Sequence, residues 1–157
     1  EIVGFVISLH IIGMYACSPL VGVLTEKIGA KSVIAFGGLL LVLGAELASH
    51  TDPQDSLGVF TGLFLIGLGW SFGLVASSTL IASEFKGPEK VRIQGLADLA
   101  MTASGGIAGI GSGLIVTLTD YQTLSHYSGI LGLYPVITVA IFLISEKTTR
   151  SKTNRDS

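Results

Sequence analysis

The stretch Gly22-Val-Leu-Thr-Glu26-Lys27-Ile-Gly29-Ala-Lys31-Ser32 lies between two long apolar runs, residues 2–24 and 32–48. Two lysines and two glycines in so short a break read as a tight reversal between two membrane-length helices. Gly29 permits backbone conformations that residues with a Cβ avoid, and Gly22 would let two helix ends approach closely. Lys27 and Lys31 can reach anionic lipid headgroups, while Glu26 could accept bonds from the N-terminus of a neighbouring helix.

Outward from this turn the pattern repeats. All nine lysines and arginines fall into three patches, Lys27/Lys31, Lys86/Lys90/Arg92 and Lys147/Arg150/Lys152/Arg155. The breaks between them carry His50, Asp52, Asp55, Asp120 and His126 but no lysine or arginine. Short basic loops stay on the cytoplasmic side of a membrane, so the patches are expected inside. Five segments approach the roughly 20 apolar residues that a bilayer-crossing helix needs, at 2–24, 32–48, 57–82, 96–118 and 127–145. The fourth is built from small residues and contains Asp98, but without it the cationic tail would lie outside. The fold expected is therefore an all-α integral membrane protein of five transmembrane helices in the cell membrane, with residue 1 outside and the C-terminus cytoplasmic. Residues 1–145 form a partial transmembrane domain; 146–157 form a polar tail with no apolar stripe, expected to be disordered.

Composition excludes several classes. The chain is 49% hydrophobic and only 13% charged, with 21 glycines in 157 residues, which no ordinary soluble helical domain carries. No basic and aromatic interleaving suggests a nucleic-acid site. No His/Cys/Asp cluster has metal-ligand spacing and no glycine-rich loop ends in Lys-Ser/Thr, so neither a metal nor a cofactor is expected. The single Cys17 excludes an internal disulfide. The chain opens inside an apolar run, without Met or a basic leader, and five spans ending inside read as the C-terminal piece of something larger. Glycines recur at four-residue spacing, Gly58/Gly62, Gly69/Gly73 and Gly105/Gly109/Gly113, a pattern that lets membrane helices pack closely.

The turn quoted first resembles the loop signature of the major facilitator superfamily of transporters, Gly-x-x-x-Asp-basic-x-Gly-x-basic-basic. Gly22, Lys27, Gly29 and Lys31 match it; Glu26 replaces the usual Asp, and Ser32 stands where a second basic residue is expected. Further likeness to bacterial members lies in His10-Ile-Ile-Gly13-Met14-Tyr15-Ala-Cys-Ser18-Pro19, in Gly67-Leu-Gly69-Trp70-Ser71-Phe72 and in Gln94-Gly95-Leu-Ala-Asp98. That family has twelve helices in two six-helix halves, with the signature after the second helix of each half. The resemblance implies helices 8 to 12, a missing N-terminal transmembrane half, and secondary active transport of a small solute by alternating access, with protons as the coupling ion. Its motifs describe architecture and leave the substrate open.

Ionisable groups inside spans are costly and tend to mark pathways. Asp98 lies six residues beyond Arg92, where the second basic loop is expected to end, roughly 10 Å deep, and would either carry a coupling proton or pair locally. His10 lies roughly 12 Å from the opposite boundary and is either a proton or substrate contact or an interhelical hydrogen-bond donor. Glu46, near the end of its span, is expected to extend into the interface. Trp70 falls too deep for an aromatic belt; it could stack on a substrate or fill the space beside Gly67, Gly69 and Gly73. Ser71 and Ser78, seven apart, share a helix face, with hydroxyls directed to a cavity or to their own backbone.

Gly69-Trp70-Ser71-Phe72-Gly73 also satisfies Gly-x-Ser-x-Gly, with His10 as a conceivable base for an intramembrane serine hydrolase. That motif works only on a strained strand-to-helix turn beside an oxyanion hole, whereas a segment in lipid must be helical to satisfy its backbone. A transporter, not an enzyme, is the expected class. The remaining alternative is a noncatalytic membrane partner or degenerate fragment.

Overall fold

The computed structural model describes residues 2–52 and 55–153. They form six helices, α1 (Ile2–Tyr15), α2 (Ser18–Ile28), α3 (Ala30–His50), α4 (Ser56–Glu84), α5 (Gly87–Leu118) and α6 (Tyr121–Thr153), with no strand among the described residues. Five helical stretches are long and apolar enough to cross a membrane, α1 and α2 together supplying the first. The protein is an all-α membrane protein, as the hydropathy pattern requires. Pro53, expected in a loop, lies outside the described residues.

The first span is a broken helix where the sequence suggested a continuous one. Pro19 has no backbone N–H and its ring displaces the carbonyl one turn earlier, so the chain turns at Ala16 and Cys17. The Ala16 N–H still reaches the Ile12 carbonyl at 2.9 Å, and the Val21 N–H reaches Cys17 at 3.0 Å. Across the gap, the Ser18 hydroxyl donates to the Met14 carbonyl at 3.1 Å. A span predicted from hydropathy alone hides this break, because a single proline barely lowers the mean of a long apolar run.

Between α2 and α3 the whole reversal rests on Gly29, at φ 85° and ψ 146°, a conformation open to glycine and strained for other residues. Its N–H caps the Thr25 carbonyl at 3.0 Å. Among the described residues nothing approaches Gly22, since a Cβ there would meet no atom within 4 Å. Aspartates start two later helices: the Asp55 carboxylate accepts from the Leu57 and Gly58 N–H groups at 3.1 and 3.4 Å, and the Asp120 carboxylate accepts from the Thr123 N–H at 2.7 Å. Hydrogen bonds from Thr123 hold the Asp120 carboxyl below the usual aspartate range.

Two helices outrun their expected bounds. α5 already begins at Gly87, with Pro88 in its first turn, where proline is pre-organised for helix and its missing N–H costs nothing. α6 continues to Thr153, so residues 146–153 are helical where a disordered tail was expected. Residues 154–157 lie outside the described chain.

α3 is the central element, packed on α4 along one side and on α6 along the other. Its contact with α4 is nearly backbone on backbone: Gly44 and Gly62 each sit where a Cβ would come within 2.7–2.9 Å of the other's carbonyl oxygen. Gly38 meets α6 at Gly132, Pro135 and Val136 in the same way. Such contacts replace the hydrophobic effect, which cannot drive helices together in lipid. Toward the Gly29 end, Val21, Val33, Leu40, Phe72 and Ala76 form a buried cluster joining α2, α3 and α4. α5 has no buried residue, and its glycine series Gly105/Gly109/Gly113 faces open space.

Candidate functional site

Residues singled out in α1 and α4 meet along a single seam. The first span runs parallel to α4, and its polar contacts keep one register: His10 Nδ1 of α1 lies 2.8 Å from the Leu63 carbonyl, and Ser18 Oγ, at the start of α2, lies 3.0 Å from Ser71 Oγ, both partners 53 residues apart. Gly67 accommodates the His10 backbone, and Gly13 lies so close to Phe64 that a Cβ would come 2.7 Å from its carbonyl oxygen. Aromatic pairs flank these contacts, Phe5 on Phe60 at 5.3 Å and Tyr15 edge-on to Trp70 at 5.8 Å and 68°.

The chemistry of each group follows from its partner. The His10 imidazole is half-buried and must present an N–H to the Leu63 carbonyl, which leaves its second ring nitrogen for a proton or ligand. Trp70 packs against Tyr15, whose ring is itself exposed, so the pair is an accessible aromatic corner. Ser71 is buried at 1% exposure and spends its hydroxyl on Ser18. Other α4 hydroxyls behave as helix serines and threonines usually do: Ser77, Thr79 and Ser83 each donate to their own backbone. The Ser71 bond therefore ties α4 to the broken region of the first span.

The remaining residues stand apart. Ser78 is half-buried on α4, two turns beyond Ser71. Asp98 is exposed on α5 and accepts a hydrogen bond from Gln94 Nε2 at 3.0 Å, within its own helix. In the turn, Glu26 and Lys27 are exposed, while the Lys31 ammonium lies 3.9 Å over the Phe142 ring of α6. Lys31 thus joins the turn to α6 as well as presenting charge. It also lines a groove of about 690 Å³ among α3, α4 and α6, which includes Ile34, Glu84, Pro135 and Phe142 and no other residue singled out above.

The Gly-x-Ser-x-Gly match lies inside the uninterrupted helix α4, with its serine buried against Ser18 and His10 engaged at Leu63. It has none of the geometry of a nucleophile elbow.

Sequence reasoning missed two arrangements. Ser18 was visible only as part of a motif, and nothing local pairs it with a serine 53 residues away. Glu46, expected to extend into the interface, reaches α6, its Oε1 3.2 Å from His126 Nδ1. The signal available was the loop composition: both breaks lacking Lys and Arg carry a histidine, and Glu46 is one turn from the first.

The sequence pattern of the Major Facilitator Superfamily matches residues 1–157. The chain belongs to this superfamily. It is 38% identical over 149 residues to the uncharacterized MFS-type transporter YddS of Bacillus subtilis, covering 92% of this chain and 34% of that protein. It is 34% identical over 131 residues to YdeG of the same organism, covering 83% and 30%. Human monocarboxylate transporter 2 is 36% identical over 83 residues, 53% of this chain and 17% of the transporter. No solved structure matches significantly. The chain spans about a third of the length of the two bacterial relatives. Membership explains why the most specific sequence signal is a turn: the superfamily signature falls where Gly29 reverses the chain between α2 and α3.

Proposed function

We propose that this chain forms one side of a solute pathway in a secondary transporter that works by alternating access, together with further transmembrane helices. The observation that carries the proposal is the superfamily match along the whole chain, joined to a seam that concentrates His10, Trp70 and Ser71. In this reading the α1–α4 seam faces the solute, Trp70 and Tyr15 supply an aromatic wall, and His10 and Asp98 serve proton coupling. Helices α1 to α6 then correspond to helices 8 to 12 of the family, α1 and α2 being one helix. The absence of any buried residue on α5 supports a role for more helices, since an apolar membrane helix normally packs against others.

The substrate is a small solute. One relative is named for monocarboxylates, yet the described spans here offer a carboxylate no lysine or arginine beside the seam, only His10. Transport by the intact protein in proteoliposomes, screened with short monocarboxylates and with uncharged aromatic solutes, tests the reading. Saturable counterflow of one class, reduced at least tenfold by Trp70→Ala and by His10→Ala, is the expected result. Absence of counterflow across both classes and a general drug and metabolite panel would remove it in favour of a noncatalytic membrane role.

A further inference from the structure

At the end of the bundle away from Gly29, α3 and α6 are joined by a polar contact that the transport reading does not use. The Ser125 hydroxyl, buried, donates to the Ala45 carbonyl at 3.0 Å. Gly129, one turn later on α6, lets the Glu46 carboxylate lie against the helix backbone. Glu46 Oε1 is 3.2 Å from His126 Nδ1 on α6, and Oε2 is 3.6 Å from His50 Nδ1 on α3. The carboxylate therefore sits between two imidazoles from two helices, only about a third exposed.

We propose that Glu46 and His126 form a proton-binding clamp between α3 and α6, which tightens as the imidazole takes up its proton. His50 plays a smaller part, because its Nδ1 already lies 2.9 Å from the Glu46 backbone carbonyl within α3. His126 bridges the two helices directly. A neutral imidazole can give Glu46 one ordinary hydrogen bond; a protonated one gives a charge-assisted bond, roughly twice as strong. Free imidazoles change charge between about pH 5 and 8, which sets the interval over which the clamp is tested.

α5, packed on α6, carries its ionisable groups Glu89, Lys90, Arg92 and Asp98 in its first half. α4, packed on the other side of α3, has Glu84 as its one acidic or basic residue, at the opposite end. Asp120, at the start of α6, is engaged by Thr123. Tyr127 is adjacent to His126, with ring centroids 6.4 Å apart. Asp52 and Asp55 lie in the connection after α3, where Asp55 is spent capping α4. A pocket of about 360 Å³ lined by Ser49, His50, Gln122, Thr123, His126 and Tyr127 gives water, and so protons, access to the imidazoles. Among the described residues no three such side chains are placed to share a metal ion.

Amide hydrogen exchange on the intact protein in lipid nanodiscs, compared at about pH 5.5 and about pH 8 after correction for intrinsic rates, tests the clamp. Protection of segments 44–50 and 121–130 is expected to fall about two- to fivefold from the lower to the higher pH, the range for a half-exposed ion pair. Glu46→Gln and His126→Gln should each abolish that difference, while His50→Gln retains most of it. Ser125→Ala should lower protection equally at both pH values, which separates loosened packing from lost titration. His126 is more than half exposed, so its replacement leaves the fold intact. An unchanged pH difference in His126→Gln, or one abolished only by His50→Gln, would overturn the proposal.

Discussion

Gly37 and Gly69 are mutual: a Cβ on Gly37 would stand 2.9 Å from the Gly69 carbonyl oxygen, and one on Gly69 would stand 2.8 Å from that of Gly37. Seven residues along, Gly44 and Gly62 repeat the relationship in the antiparallel sense. Two glycine pairs two turns apart thus set the distance between α3 and α4. Gly69→Ala should push the helices apart or tilt them, with a cost of about 1–3 kcal/mol typical of overpacking. Gly73→Ala should be near neutral, because a Cβ there meets nothing within 4 Å. Thermal unfolding of the two variants in detergent, side by side, checks the contrast.

These contacts also mark what the sequence could disclose. The span pattern was legible because hydrocarbon enforces helix length and loop charge, and the reversal at Gly29 was legible because few residues accept its backbone angles. The useful glycine spacing was not legible. Four-residue pairs such as Gly69/Gly73 stand out by eye, yet Gly69 works with Gly62 and with partners on another helix. Site residues followed the same rule. His10, Trp70 and Ser71 were conspicuous as polar or aromatic residues in lipid, whereas their partners Leu63, Tyr15 and Ser18 depend on the register between helices, which no single helix encodes.

The Ser18–Ser71 bond should behave as a coupled pair. Ser71→Ala removes an α4 hydroxyl that leaves its own helix for α2, and Ser18→Ala removes its partner together with the bond to Met14. Each variant is expected to lose about 0.5–1.5 kcal/mol, the usual range for an interhelical hydrogen bond in a membrane protein. The double variant should lose less than the sum. Reversible unfolding measured as a double-mutant cycle decides this, and strict additivity would show that the hydroxyls do not interact.

Asp120 gives a pH prediction with a definite sign. Its folded carboxyl is held below the ordinary aspartate range by the Thr123 hydrogen bonds, so its capping contribution is fully present above that range, about pH 3.9. The contribution is lost as the pH falls through the lower folded value. Asp120→Asn should therefore flatten the acid limb of α6 stability while leaving the neutral-pH helix in place, since asparagine also caps helices. Circular dichroism and exchange at residues 121–124 between about pH 2 and 6 report it.

Asp98 separates coupling from architecture. Its carboxylate is exposed on α5 and accepts a bond only from Gln94 in the same helix, so replacing it breaks no contact between described helices. Asp98→Asn keeps the side-chain shape and an acceptor for Gln94 while removing the exchangeable charge. If Asp98 carries the coupling proton, the variant should retain solute counterflow within about twofold while solute-driven proton movement falls at least tenfold. Paired measurements of counterflow and internal pH in the same proteoliposomes distinguish this from a packing role, in which both activities would decline together and Gln94→Ala would reproduce the loss.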